Sequence, residues 1–272
     1  MNGKQLRQAL RAGTRVYGMS VTAPTAFWPV ALANAGLDFV FLDTEHVPED
    51  RMALAWMCQT YHALGVAPIV RIPRPDPYQA CMVIDAGAAG VIAPYVETVE
   101  EVLALAGAAK LRPIKGKRLT DKLEGRAPLE PNLQEYLDKR NEGISLIVNI
   151  ESVPAIQNLD ALLAVEELDA VIIGPHDMTC NLGIPEEYRN PIFLDAVKTV
   201  TQKTRNAGKG AGIHFWDGLD LEIQWLRDGL NMLVHSTDIT LVTQALKREL
   251  AHLRAALGDG AAPQGGGEDP VV

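Results

Sequence analysis

Eight short apolar runs recur along the chain, and their spacing limits its fold more than any other feature. They read RVYGMSV, FVFLD, PIVRI, GVIAPYV, SLIVNIE, AVIIGP, GAGIHF and MLVHS. Each is nearly continuous in apolar residues rather than alternating, as expected of strands covered on both faces. Between most of them lie stretches with helical spacing, at 51–64, 97–109, 153–165, 193–207 and 219–226. Gly36, Gly87 and Gly229 each stand shortly before a strand, where a helix stops in the left-handed conformation. Strand and helix alternating eight times imply parallel strands with helical crossovers. A (β/α)8 barrel typically needs about 250 residues, and this chain has 272. An open doubly wound sheet is the other reading. It usually carries a Gly-rich phosphate turn, and neither GxGxxG nor GxxxxGK[ST] is present.

Residues 1–257 are therefore expected to form one barrel domain. The Gly/Pro-rich acidic segment 258–272 is expected to be a disordered tail. One connection breaks the rhythm. After the helical stretch at 97–109, some thirty residues (111–143) carry RPIKGKRLTDKLEGRAPLEP. A long connection of this kind is often functional or mobile, and this one is expected to sit on the rim and cover a site.

The bulk numbers exclude several function classes. A net charge of −9 and a pI near 5.2 argue against a nucleic-acid footprint. No apolar run approaches the roughly 18 residues of a membrane helix. The N-terminus lacks an apolar signal core. Three cysteines without a CxxC read as reduced thiols in a cytoplasmic protein.

In a barrel of this kind the chemistry lies where strands end. Strand two ends in Asp43, Thr44, Glu45 and His46, and strand three in Arg71. Strand five ends in Asn149 and Glu151. Strand six ends in Gly174, Pro175, His176 and Asp177. His214, His235 and Ser236 close strands seven and eight. Glu151 and Asp177 leave neighbouring strands, and two such carboxylates suit a divalent cation: Mg²⁺, Mn²⁺ or Co²⁺. Equally, each acid suits the first turn of the helix that follows it. Arg71 is placed either to pair with Glu151 or Asp43, or to hold a substrate oxyanion. His46 has the intrinsic pKa of a general base, and Asp43 stands three residues before it, where it could orient the ring.

The stretches GLDFVFLDTEH, VRIP, IDAGAAGVIAPYVETVEEV, NIESVPAIQNLDALLAVEELDAVIIGPHDMTCNLGIP and GKGAGI follow the order seen in one family. Over roughly residues 13–250 the chain resembles the class II, metal-dependent pyruvate aldolases that act on 4-hydroxy-2-oxo acids and 2-keto-3-deoxy sugar acids. The resemblance implies Glu151 and Asp177 as metal ligands and Arg71 at the pyruvate keto oxygen. It implies His46 as base, working with Asp85 from a neighbouring subunit. Asn149, Gly174, Pro175, His176 and Asp177 would bind substrate, with main-chain N–H groups around 174–177 on the carboxylate. It also implies a hexamer built as a trimer of dimers that swap a last helix at 241–257. A Schiff-base aldolase would need a lysine at a strand C-terminus. No strand ends in one, and Lys209 stands at the entry of strand seven.

The chain departs from the family pattern in five places. Asn149 stands where Gln is usual, and His176 where Ala often precedes the metal Asp. Strand seven ends in HFW, and strand eight in His235 and Ser236. The segment after strand four is lysine-rich. These changes leave open two other readings: a lyase acting on a CoA ester on the same scaffold, and a family member with altered chemistry or one that only binds a 2-oxo acid.

Overall fold

A computed structural model describes residues 1–260. Helix α1 (Gly3–Ala12) leads into β1 (Val16–Val21), α2 (Trp28–Asn34), β2 (Phe39–Asp43), α3 (Arg51–Ala63), β3 (Ala67–Arg71), α4 (Pro77–Asp85) and β4 (Gly90–Ala93). Three helices follow, α5 (Val99–Lys110), α6 (Gly116–Leu123) and α7 (Pro131–Asn141), before β5 (Ser145–Ile150). Then come α8 (Val153–Gln157), α9 (Leu159–Leu163), β6 (Ala170–Ile173), α10 (Pro175–Asn181) and α11 (Pro191–Asn206). The chain closes with β7 (Gly210–Phe215), α12 (Leu219–Arg227), β8 (Met232–Thr237) and α13 (Asp238–Leu257). The strands pair in parallel and in order, β8 returning to β1, which closes the barrel. All eight apolar runs are strands. The helical stretch at 153–165 divides into two short helices at Asn158.

The pairing register stacks the inward side chains in layers. The strands tilt, so residues at one height advance by two on every second strand. Along this pairing, Phe41, Ile92, Ile172 and Val234 form one apolar layer from the even strands. Ser20, Arg71, Asn149 and His214 form the layer above it from the odd strands. Ring contacts agree with the register. The Arg71 guanidinium lies 5.2 Å from the Phe41 ring centre, and the His214 ring centre 5.4 Å from it. The apolar interior thus gives way to a polar layer at the strand C-termini.

The other end is plugged. A capping box between Asn2 and Gln5 starts α1, and the fully buried Leu6 and Leu10 close the barrel from below. Beside them, fully buried Asp169 accepts hydrogen bonds from Arg7 Nε (2.8 Å), Arg11 Nε (2.7 Å), Lys110 Nζ (2.5 Å) and the Leu146 N–H (2.9 Å). Burial alone would raise the Asp169 carboxyl, but Lys110 and Arg7 outweigh it and hold it below the usual range. Burial pushes Lys110 down to about 8. Asp169→Ala strands that buried ammonium, and is expected to cost about 3–5 kcal/mol. Urea unfolding checks this, and a loss under about 1 kcal/mol would mean the cluster is replaceable by water.

The segment at 111–143 corrects the expectation of a rim loop. It follows the C-terminal end of α5, where Lys110 meets Ile144 and Asp169 at the strand entries. Leu119 and Leu123 of α6 approach Gly107 of α5, and Leu111, Ile114 and Leu137 form a small apolar core. The segment is helical and lies towards the plugged end, away from the strand C-termini. A βα-loop would have reached the rim, whereas this is an αβ-connection.

Helix α13 starts on the barrel and then leaves it. Thr22 and Ala23 hydrogen-bond the Asp238 carboxylate, and Asp238 is the one buried residue of the helix. Ile239, Val242, Leu246, Leu250, Leu253 and Leu257 recur at helical spacing and are exposed. Residues 261–272, most of the expected tail, lie outside the described residues.

Candidate active site

The strand ends and the polar layer enclose a cavity of about 420 Å³. Phe41, His46, Arg71, Asn149, Asp177 and His214 are among its lining, with Gly174, Pro175, His176, Glu186 and Trp216. The strand-end rule therefore gathers residues from five strands into one place.

Arg71 is held as a fork. Its Nε donates to Asp43 Oδ1 at 2.8 Å and its Nη2 to Oδ2 at 2.6 Å, with Glu45 Oε2 a further 3.1 Å from Nε. Burial opposes the guanidinium charge, but the Asp43 pair outweighs it and raises Arg71. In the same way, the Arg71 contact overcomes burial and keeps Asp43 below the usual carboxylate range. Such bidentate pairing fixes the guanidinium plane as well as its charge. Of the two partners expected for Arg71, Asp43 makes the pair. Its carboxylate is taken up by Arg71 and by the main-chain N–H groups of Glu45 and His46, so it orients the arginine and the turn. The His46 ring is half exposed, with Nε2 3.9 Å from Glu45 Oε2.

Glu151 is buried against Gly174. A Cβ at that glycine would stand 2.6 Å from Glu151 Oε1, so only glycine lets the β6 exit pass the carboxyl group. Asn149 Nδ2 donates to Oε1 at 2.5 Å and the Tyr95 N–H to Oε2 at 3.1 Å. Burial nevertheless pushes Glu151 up to about 7, and the charges of Asp177 and Glu45 add to the rise. A cation here would offset that crowding of acids. The donors present are hard oxygens, two carboxyls rather than a closed cage. Among the described residues no three His, Cys, Asp or Glu side chains cluster as ligands. An open two-carboxylate set fits Mg²⁺ or Mn²⁺, which keep water or substrate in their remaining positions.

Other residues fall elsewhere. Asp85 ends α4 with its side chain 62% exposed and ion-paired to Arg112, apart from this cavity. His235 faces out of the barrel, where Nδ1 meets the buried Glu222 carboxylate at 2.9 Å. Lys209 donates to the carbonyls of Val165 and Leu168 at the closed end, too remote for an imine. Tyr95 is a further rim residue, hidden in the sequence because it stands inside the apolar run GVIAPYV. The Glu45 carboxylate facing its hydroxyl pushes the phenol up to about 12. The three non-glycine residues with positive φ among those described are Tyr95, Glu186 and Ser236. Glu186 lines the cavity, and the other two stand at the ends of β4 and β8. Strain of this kind gathers at working sites.

A family model described as HpcH/HpaI aldolase/citrate lyase matches residues 23–245. A 2-keto-3-deoxy-L-rhamnonate aldolase of Klebsiella pneumoniae is 30% identical over 258 residues, covering 95% of this chain and 94% of that protein. A hydroxypyruvate/pyruvate aldolase of Roseovarius nubinhibens is 29% identical, covering 91% and 96%. The crystal structure of an HpcH/HpaI aldolase from Desulfitobacterium hafniense superposes with a TM-score of 0.79 at 26% identity, over 92% of this chain and 96% of that one.

Proposed function

The chain belongs to the HpcH/HpaI aldolase/citrate lyase family and is a carbon–carbon lyase, and from that premise we propose that it cleaves a 4-hydroxy-2-oxo acid into pyruvate, or a close 2-oxo acid, and an aldehyde. The observation that carries this reading is the clamped Arg71 facing the same buried cavity as Asp177, with Glu151 behind Gly174. Glu151 and Asp177 would hold Mg²⁺, Mn²⁺ or Co²⁺. When bound, such a cation supplies Lewis-acid stabilisation of the negative charge that develops on the 2-oxo oxygen as the C3–C4 bond breaks.

The chain's own residues do the rest. Arg71 presents fixed positive charge to the 2-oxo oxygen, and Asp43 keeps it from turning. Asn149 holds the Glu151 carboxyl in place. His46, at the cavity and half open to solvent, takes the 4-hydroxyl proton directly or through water. Pro175 and the main-chain N–H groups of His176 and Asp177 stand at the first turn of α10, suited to the substrate carboxylate. Asp85 can serve His46 only from another copy, since its own chain holds it away from the cavity.

Pyruvate release from 4-hydroxy-2-oxo acids, followed with and without EDTA, tests the reading. Turnover that survives exhaustive chelation would refute the metal assignment, and absence of pyruvate with every such acid would refute the reaction. The CoA-ester reading loses its basic groove, because Lys115, Lys117 and Arg118 lie at α6, towards the closed end.

The apolar face of α13 supports assembly into the trimer of dimers. Residues 241–257 would pack on a second copy. Truncation after residue 240 is expected to reduce the particle to a smaller species by light scattering, and an unchanged mass would overturn the exchange. Three free cysteines support a cytoplasmic location. No helix among the described residues is long and apolar enough to cross a membrane.

A further inference from the structure

The floor of the cavity is unusually short of hydrogen-bond partners. In the layer Ser20, Arg71, Asn149 and His214, Arg71 is engaged by Asp43. The other three each carry a polar atom with no hydrogen-bond partner among the described residues: Ser20 Oγ, Asn149 Oδ1 and His214 Nε2. Their residues are only 1%, 4% and 9% exposed. Buried polar atoms left unpaired cost stability, and Asn149 and His214 line the cavity, so these two call for a ligand to answer them.

The chemistry of these atoms narrows the ligand. Asn149 spends its amide on Glu151, so the free atom is the carbonyl oxygen, an acceptor. Burial pushes His214 down to about 4, helped by the Arg71 charge, so its ring is neutral near pH 7. The Ser236 main chain works against that fall, as a carbonyl facing a ring N–H does. A ring proton held towards that carbonyl leaves the unpartnered Nε2 as a lone-pair acceptor. Pyruvate has no answer: its carboxylate and keto oxygens accept, and its methyl group does neither. A hydroxyl on C3 donates.

We propose that His214 is a specificity-determining residue, and that its Nε2 accepts a hydrogen bond from a C3 hydroxyl of the donor, a 3-hydroxy-2-oxo acid. The inference rests on the aldolase reading, because it needs the donor's keto oxygen at Arg71. Arg71 and His214 share a layer at the cavity floor, so the three donor carbons lie over that layer. The aldehyde half lies towards the mouth, beside His46 and His176, whose side chains are 50% and 44% exposed. Phe41 beneath and Trp216 beside His214, with ring centres 5.4 Å and 5.6 Å away, fix the imidazole plane.

The test is titration calorimetry of the whole protein with 3-hydroxypyruvate and with pyruvate, Mg²⁺ present, alongside kcat/KM for both donors with one aldehyde. Wild type is expected to favour 3-hydroxypyruvate. His214→Leu is expected to shrink that preference by about 10- to 100-fold while leaving pyruvate affinity within about threefold. His214→Gln, which keeps an acceptor, is expected to restore part of it. Equal affinity for the two donors in wild type would mean that water answers the layer, and overturns the proposal. So does His214→Leu weakening both donors alike, or failure of either to bind. Donor discrimination without any turnover would spare the proposal and refute the aldolase reading instead.

Discussion

Arg71→Ala is expected to lower turnover by about 10²–10³-fold and to cost about 3–5 kcal/mol of folding stability. The first figure is the usual loss when a preorganised donor is removed from a developing oxyanion. The second follows from leaving Asp43, 2% exposed, without its counter-charge inside the barrel. Two measurements separate these effects. Exchange of the pyruvate methyl protons in D₂O reads the chemistry, and urea unfolding reads the stability. Arg71→Lys keeps the charge but not the fork, so it should recover part of the stability and little of the exchange. Unimpaired exchange in Arg71→Ala would remove the guanidinium from the reaction.

The second large effect is expected from Asp177→Ala, with the opposite balance. Asp177 is only partly buried and stands in the first turn of α10. Its loss from that position costs about 0.3–1 kcal/mol through the helix dipole. If it holds the cation with Glu151, its removal takes away several kcal/mol of charge stabilisation, or about 10³-fold in turnover. Mn²⁺ titration of the folded variant should show weakened binding. A variant that binds Mn²⁺ as wild type does, yet has lost turnover, would move Asp177 from the cation to the substrate.

The barrel was legible because covered parallel strands write themselves as apolar runs, and all eight runs are strands. The strand-end residues were legible for the same reason: a polar group directly after such a run has to stand on the rim. Asp43 offered two partners in the sequence, the His46 ring and Arg71, and the pair it makes is with Arg71. Sequence distance put it near His46, while register put Arg71 directly opposite on the next strand. His214 and His235 looked alike, yet strand parity turns one inward and the other out to Glu222. Parity can be counted only once the register is known. Segment 111–143 was misplaced because its composition reads as loop, whereas its position after a helix decides which end of the barrel it decorates.

That position separates two kinds of inheritance in this molecule. Substitutions in α6 and α7 act on the end where the cations grip Asp169, so they tune heat resistance before they touch turnover. The reacting end is left to diversify through its strand tips alone. A lineage could thus trade one donor acid for another by changing a residue such as His214, without renegotiating the foundation on which the barrel stands.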